Sequence, residues 1–230
     1  MSLASSLGSI RTVELVDVEV VYDGSVRALK VEELVFEPGF HIVMGPNGSG
    51  KTTLLDVVAG LVLPSRGKVV LNNLVNIAGL GEDARASIRR DHYSYLLQED
   101  VFIESLSVWD NIAMPFIIHG IAVPEERILE LAETLGIRGL LKRKPSKLSG
   151  GERRKASIVR ALSRAFTASV VLLDEPTSFL DKDSSTRLVE VLESVLRGKI
   201  VIIATHDEKL AEIGDRIVRL RGGVVESVTS

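Results

Sequence analysis

Apolar residues in this chain come in short runs of two kinds. Val13-Glu14-Leu15-Val16-Asp17-Val18 alternates with a period of two, the pattern of a strand with one buried face, and residues about 10 to 37 read as short strands of an antiparallel sheet. The run Ser169-Val170-Val171-Leu172-Leu173-Asp174 lacks polar alternation and is rich in β-branched residues, which predicts a strand covered on both faces. Phe40-His41-Ile42-Val43-Met44 and Ile200-Val201-Ile202-Ile203-Ala204-Thr205 also have strand character. Helical spacing replaces these patterns in Thr52-Thr53-Leu54-Leu55-Asp56-Val57-Val58-Ala59, suited to a buried helix, and in the amphipathic Glu125 to Ala132. Residues about 99 to 160 hold no strand-like run and read as helical. Ser107-Val108-Trp109-Asp110 can cap one helix there, and Pro115 is placed to start or bend another. Pro64-Ser65-Arg66-Gly67 turns into a strand at Lys68-Val69-Val70-Leu71, and Gly222-Gly223 separates the two strands of a terminal hairpin.

A length of 230 residues fits one large domain, or a core with a subdomain. Although 45% of the residues are apolar, no run approaches the about twenty needed to cross a bilayer. Membrane work by this chain would therefore require other chains. Met1 to Ser9 lacks the basic start and long apolar stretch of a secretory signal, and its Ser and Gly content reads as a frayed tail. The absence of cysteine removes disulfides and thiolate metal sites and suits the cytosol. A net charge of −3 gives no reason to expect a nucleic-acid surface.

Chemistry enters at Gly45-Pro46-Asn47-Gly48-Ser49-Gly50-Lys51-Thr52-Thr53, which matches G-x-x-x-x-G-K-[ST] between a predicted strand and a predicted helix. The three glycines permit unusual backbone angles that let amides converge on phosphate oxygens, and the helix start adds the positive end of its dipole. Lys51 is then placed for the β- and γ-phosphates and Thr52 for Mg²⁺. The apolar run ending at Asp174-Glu175 delivers two acids to one strand end, where ligands sit in open parallel sheets. Asp174 suits Mg²⁺, which keeps several waters and takes few protein carboxylates. Glu175 suits the orientation or deprotonation of an attacking water. Ser149-Gly150-Gly151-Glu152 has the form of a capping box that opens a helix with a basic face. A helix start binds anions through its amides, but an ordinary capped helix would read the same way.

Taken together, nearly all of the chain resembles the nucleotide-binding domain of ATP-binding-cassette transporters. The resemblance implies an α/β fold: a P-loop NTPase (RecA-like) core with a mainly parallel sheet, an N-terminal antiparallel β subdomain and an α-helical insert. One domain would span 1–230, with the core at about 10–98 and 160–230 and the insert at about 99–160. It also implies that Tyr22 stacks on adenine, that Gln98 contacts Mg²⁺ or the attacking water, and that His206 contacts the γ-phosphate. Ser178-Phe179-Leu180-Asp181 would run across a dimer interface, and Ser149-Gly150-Gly151 would point at the γ-phosphate held by a second subunit.

ATP and Mg²⁺ follow as ligands, with Thr52, Gln98 and Asp174 on the metal. The implied partners are transmembrane permease subunits and either a second copy or a second ATPase of the family. The implied location is cytoplasmic, peripheral on the inner face of the cell membrane. Phe102, Leu106, Trp109, Met114, Phe116 and Ile117 supply apolar surface for a permease helix, although about half of them are expected to pack the insert itself. The segment Leu106 to Phe116 looks most like the branch that releases lipoproteins or exports macrolides and peptides. Two departures stand out: Glu152-Arg153-Arg154-Lys155 where many relatives carry Gln-x-Gln-Arg, and Phe179 where a small residue is usual. The competing reading is a non-transport ATPase of the same superfamily in a soluble or regulatory complex. A chromosome-maintenance form would need a long heptad insertion that is not seen between Lys51 and Ser149.

Overall fold

The computed structural model describes residues 7–23 and 26–229. Ten strands form one mixed sheet: β1 (Val13–Tyr22), β2 (Val26–Phe36), β3 (Gly39–Met44), β4 (Arg66–Leu71), β5 (Val75–Asn76), β6 (Tyr93–Leu96), β7 (Val170–Asp174), β8 (Ile200–Thr205), β9 (Arg216–Arg221) and β10 (Val224–Thr229). Their spatial order is β5-β4-β1-β2-β10-β9-β3-β8-β7-β6. The N-terminal strands pair antiparallel, while β9, β3, β8, β7 and β6 run parallel to one another. Seven α-helices accompany the sheet in the described residues: α1 (Lys51–Val58), α2 (Glu82–His92), α3 (Val108–Ile117), α4 (Glu125–Thr134), α5 (Gly150–Ala165), α6 (Lys182–Val195) and α7 (Glu208–Ala211). None of these is long and apolar enough to cross a membrane.

The continuous apolar runs exist because both faces of the parallel region are covered. Leu172, Ile200, Ile202 and Ala204 join the core that contains α1, whereas Val171, Leu173, Val201 and Ile203 join the core built with the insert and α6. Side chains alternate across a strand, so a strand between two cores needs apolar residues at every position. In β1 the alternation instead buries Val13, Leu15, Val18 and Val20 and shifts phase at Asp17. A bulge against β4 absorbs that shift, with Asp17 at φ 50°.

Two expectations are corrected. Pro115 starts no new helix; it lies in the last turn of α3, where it forgoes the i→i−4 bond its N–H would have made, and the helix ends two residues later at Ile117. The tail is not frayed throughout: Leu7 is buried, and Asn72 Nδ2 donates to the Leu7 and Ser9 carbonyls, while residues 1–6 lie outside the described part. Helix α5 runs through residue 160 and ends in the core, so the insert and the core share one continuous element. The helix cap at Ser107 forms as a full box with Asp110, and Gly222-Gly223 turns β9 into β10 with both residues at positive φ.

Parallel register decides where the chemistry lies. Met44 pairs with Thr205, Ala204 with Asp174 and Leu173 with Leu96. The glycine loop after β3, the acids at the end of β7, His206 after β8 and Gln98 after β6 therefore all emerge at one edge of the sheet.

Candidate active site

The loop after β3 shows why glycines are needed, for two different reasons. Gly48 and Gly50 take φ of 75° and 100°, and a Cβ on Gly50 would stand 2.6 Å from the Ala28 carbonyl. Gly45 has no such angle, contrary to expectation. There a Cβ would collide with the Leu220 carbonyl and come within 2.6 Å of Ser49 Oγ, so the requirement is close approach. Helix α1 opens at Lys51 with Gly50 as its N-cap, no side-chain cap and no acid in its first turn. Its orphan amides and the positive end of its dipole are left for an anion.

Beside the loop the charged groups form one connected set. Lys51 Nζ donates to the Gly45 carbonyl at 2.8 Å and to the Pro46 carbonyl at 3.4 Å, and it lies 3.5 Å from Glu175 Oε1. Thr52 Oγ1 donates to Asp174 Oδ2 at 2.7 Å. Glu175 also meets His206 Nδ1 at 2.9 Å and receives the Thr205 hydroxyl at 3.4 Å. Its backbone sits at φ 46°, in a region a non-glycine residue enters only when surrounding contacts hold it there. Burial pushes the Asp174 carboxyl above the usual carboxylate range, and the nearby Glu175 charge adds to this; the Thr52 hydrogen bond works the other way.

A cavity of about 630 Å³ opens over this set. Asn47 to Thr53, Gln98, Asp174, Glu175, Ser178 and His206 line it, together with Val26, Arg27, Ala28 and Phe179. Phe179 is 78% exposed. Gly45 and Pro46 lie beneath, holding Lys51. Tyr22 is outside the lining; it ends β1 with 43% exposure, and its cross-strand partner Val26 is in the wall. Asp181 also lies outside, capping α6 by accepting the Ser184 N–H at 2.8 Å.

Ser149, Gly150, Gly151 and Glu152 do not line the cavity of their own chain, although Gly151 lies close to the backbone of Phe179 in its wall. The capping box is complete: Ser149 N–H donates to Glu152 Oε2 at 2.7 Å, and Glu152 N–H to Ser149 Oγ at 3.3 Å. The Ser149 backbone bond holds the Glu152 carboxyl below its ordinary range.

Two groups beside the site were hidden in the sequence. Arg154 falls in a basic run yet is fully buried, and its guanidinium donates to the carbonyls of Asp174 at 2.6 Å and Glu175 at 2.7 Å. Helical spacing to the buried Ile158, Ala161 and Ala165 was the available signal. Tyr95 Oη donates to Asp56 Oδ1 at 2.9 Å beneath the loop helix, and burial raises both groups above their ordinary values.

With this geometry in place, likeness to known proteins is informative. The sequence pattern of the ABC transporter family matches residues 33–178. The chain is 34% identical to the lipoprotein-releasing system ATP-binding protein LolD of Legionella pneumophila, covering 88% of this chain and 91% of that one. It is also 34% identical to the macrolide export ATP-binding/permease protein MacB of Hyphomonas neptunium, covering 94% of this chain but only 34% of that longer protein. Among solved structures it is similar to a dimeric post-hydrolysis state of the ATP-binding cassette MJ0796 bound to ADP and Pi. The TM-score is 0.86 at 32% identity, with 95% of this chain and 98% of that one covered. A loop built for phosphate, a carboxylate poised beside its lysine and this shared architecture place the chain in the ABC transporter family, as an ATP-binding and ATP-hydrolysing cassette.

Proposed function

We propose that two such cassettes close head to tail around two ATP molecules and that closing and opening drives a membrane-spanning partner. One observation carries this reading: the Ser149 helix start, of a kind that binds anions through its amides, lines no part of the cavity of its own chain. Each composite site would then combine Lys51, Gln98, Glu175 and His206 of one chain with Ser149, Gly150 and Gly151 of the other. Tyr22, at the cavity's edge, would stack on the adenine. Ser178 and Asp181 would lie along the interface.

Within that site Lys51 and the loop amides neutralise the phosphates, and Glu175 orients the attacking water and takes its proton. His206 holds Glu175 and lies where it can reach the γ-phosphate. Thr52 Oγ1 and Asp174 Oδ2 are hard oxygen donors 2.7 Å apart, and a buried carboxylate raised by desolvation gains from a cation. The site thus fits Mg²⁺, held by Thr52, Asp174 and Gln98. When bound, the ion supplies charge neutralisation at the phosphates.

Another cavity, of about 410 Å³, lies between the insert and the core; Val101, Phe102, Ile103, Met114, Pro115 and Ile118 line its insert side together with Asn111, and Tyr93, Ser94, Tyr95, Arg160, Ala161 and Arg164 complete it. Phe102 and Phe116 are buried in the insert, whereas Ile117 and Ile118 are exposed beside this groove. A short apolar helix of a permease subunit fits it, which would hold the cassette on the inner face of the cell membrane. Cargo recognition belongs to those partner chains, and the relatives named for macrolide export and lipoprotein release favour an exporting complex.

The test is complementation. Ser149→Arg leaves Lys51, Asp174 and Glu175 intact, so the variant should bind ATP but neither dimerise nor hydrolyse. Mixed with Lys51→Ala chains, it should regain partial activity, because one composite site in the mixed dimer is wild type at both positions. Full, concentration-independent activity of Ser149→Arg alone would sink the shared-site reading.

A further inference from the structure

Arg154 is the largest fully buried side chain among the described residues, and it is charged. A buried guanidinium persists when its donors are matched; here Nε is buried without a partner among the described residues, and the bonds of Nη1 and Nη2 join two separate parts of the site. Nη2 donates to the carbonyls of Asp174 and Glu175, the two peptide oxygens that flank the left-handed backbone of Glu175. Nη1 donates to the Leu97 carbonyl at 2.9 Å, to the Gln98 carbonyl at 3.4 Å and to Asp100 Oδ1 at 2.9 Å. The rigid planar fork therefore fixes the backbone that aims Glu175 and the backbone that carries Gln98. Both are fixed to the first turns of α5, the helix that starts at Ser149.

We propose that Arg154 is a positioning residue that locks Glu175 and Gln98 to the Ser149 helix, and so couples the two nucleotide sites of the dimer. The inference rests on the shared-site reading. A γ-phosphate engaged by Gly150 and Gly151 belongs to one site, while the Glu175 held by the same helix acts at the other. A shift of α5 on engaging its phosphate moves the guanidinium, and the guanidinium moves the carbonyls on either side of Glu175. Strain at Glu175 is suited to such control, because a left-handed non-glycine residue keeps its geometry only while its neighbours over-determine it. A lysine at this position would keep the charge, but its single ammonium cannot hold both segments.

The experiment measures ATP turnover, its Hill coefficient and thermal stability for the full chain and two variants. Arg154→Lys should lower kcat by up to about 10²-fold, the cost of displacing a reacting group by about 1 Å, with KM for ATP nearly unchanged. Its Hill coefficient should fall from above one to one. Asp100→Ala keeps the guanidinium and its four carbonyls but frees one end of the Gln98 loop, so the same changes should appear in smaller degree at near-normal stability. A merely structural arginine would lower the melting temperature and leave kcat, KM and cooperativity of the folded fraction alone. Failure of a Glu175→Gln chain with intact Arg154 to dimerise on ATP would sink the shared-site reading. Normal dimerisation there, with wild-type kcat and cooperativity in Arg154→Lys, would overturn only the role of Arg154. If Arg154→Lys does not fold, Asp100→Ala decides alone, and unchanged kcat and cooperativity in it overturn the proposal.

Discussion

Two helix starts in this chain carry glycines, Gly50 before α1 and Gly150-Gly151 opening α5, and they differ in what their own chain places opposite them. At α1 the N-cap is a glycine without side-chain capping, and Lys51, Asp174, Glu175 and His206 surround the opening. At α5 the cap is a full box between Ser149 and Glu152, and none of the four residues Ser149 to Glu152 lines a pocket with those groups. The first start is surrounded by chemistry and left uncapped for its ligand. The second is stabilised locally by its own capping box. The difference is what leads the shared-site proposal to assign the two starts to complementary halves of two sites.

The sharpest break in that comparison is at Glu175. Glu175→Gln keeps the shape but removes the basicity, so turnover should fall by about 10²–10⁴-fold while ATP binding persists. An ATP-bound dimer should accumulate and be visible by gel filtration. Near-normal turnover of the purified variant would move the water-activating role to another residue. Lys51→Ala comes next in size. Losing a charge-assisted contact of about 1.5–3 kcal/mol should weaken ATP binding roughly ten- to a hundredfold, as read by titration calorimetry. Unchanged affinity would contradict the assignment at α1.

Asp174 gives a smaller and pH-dependent effect. Burial raises its carboxyl above the ordinary aspartate value, so between the two values the folded chain holds a proton that the unfolded chain has lost. Stability of the ligand-free protein therefore falls as pH rises through that window, and it stays lower above it. Asp174→Asn removes the penalty while keeping an acceptor for Thr52. Its ligand-free melting temperature should exceed wild type at neutral pH, and the gain should vanish below about pH 3.9, the ordinary aspartate value. A gain that persists in acid would point to packing instead.

What the sequence revealed follows from how local each signal is. The loop at Gly45 to Thr52, the run into Asp174 and the box at Ser149 are contiguous, so spacing alone exposed them. Helix α2 was silent because it is mostly polar and buries only Ile88, leaving no stripe to read. Pro115 misled because a proline usually opens or bends a helix, and its place in the last turn depends on where α3 stops. The reason for Gly45 lies in the Leu220 carbonyl, far along the chain, which no local pattern records. Arg154 was masked by Arg153 and Lys155, since three cations in a row read as a solvated face.

The smallest predicted effect compares α5 with a helix that shares its cap and has no assigned ligand. Ser107 and Asp110 close a box at α3 as Ser149 and Glu152 do at α5. Replacing either serine with alanine removes an acceptor for an N3 amide and should cost about 1 kcal/mol of stability, measured by urea unfolding. Stability therefore does not separate the two variants, and turnover does. Ser149→Ala removes a hydroxyl at the helix start proposed to face the partner's γ-phosphate, so its ATPase activity should drop and its ATP-dependent dimer weaken. Ser107→Ala, with the same loss of stability, should hydrolyse ATP at the wild-type rate. Equal activity losses in the two would mean that the Ser149 hydroxyl contributes only a helix cap, leaving any contact across the interface to the glycine amides alone.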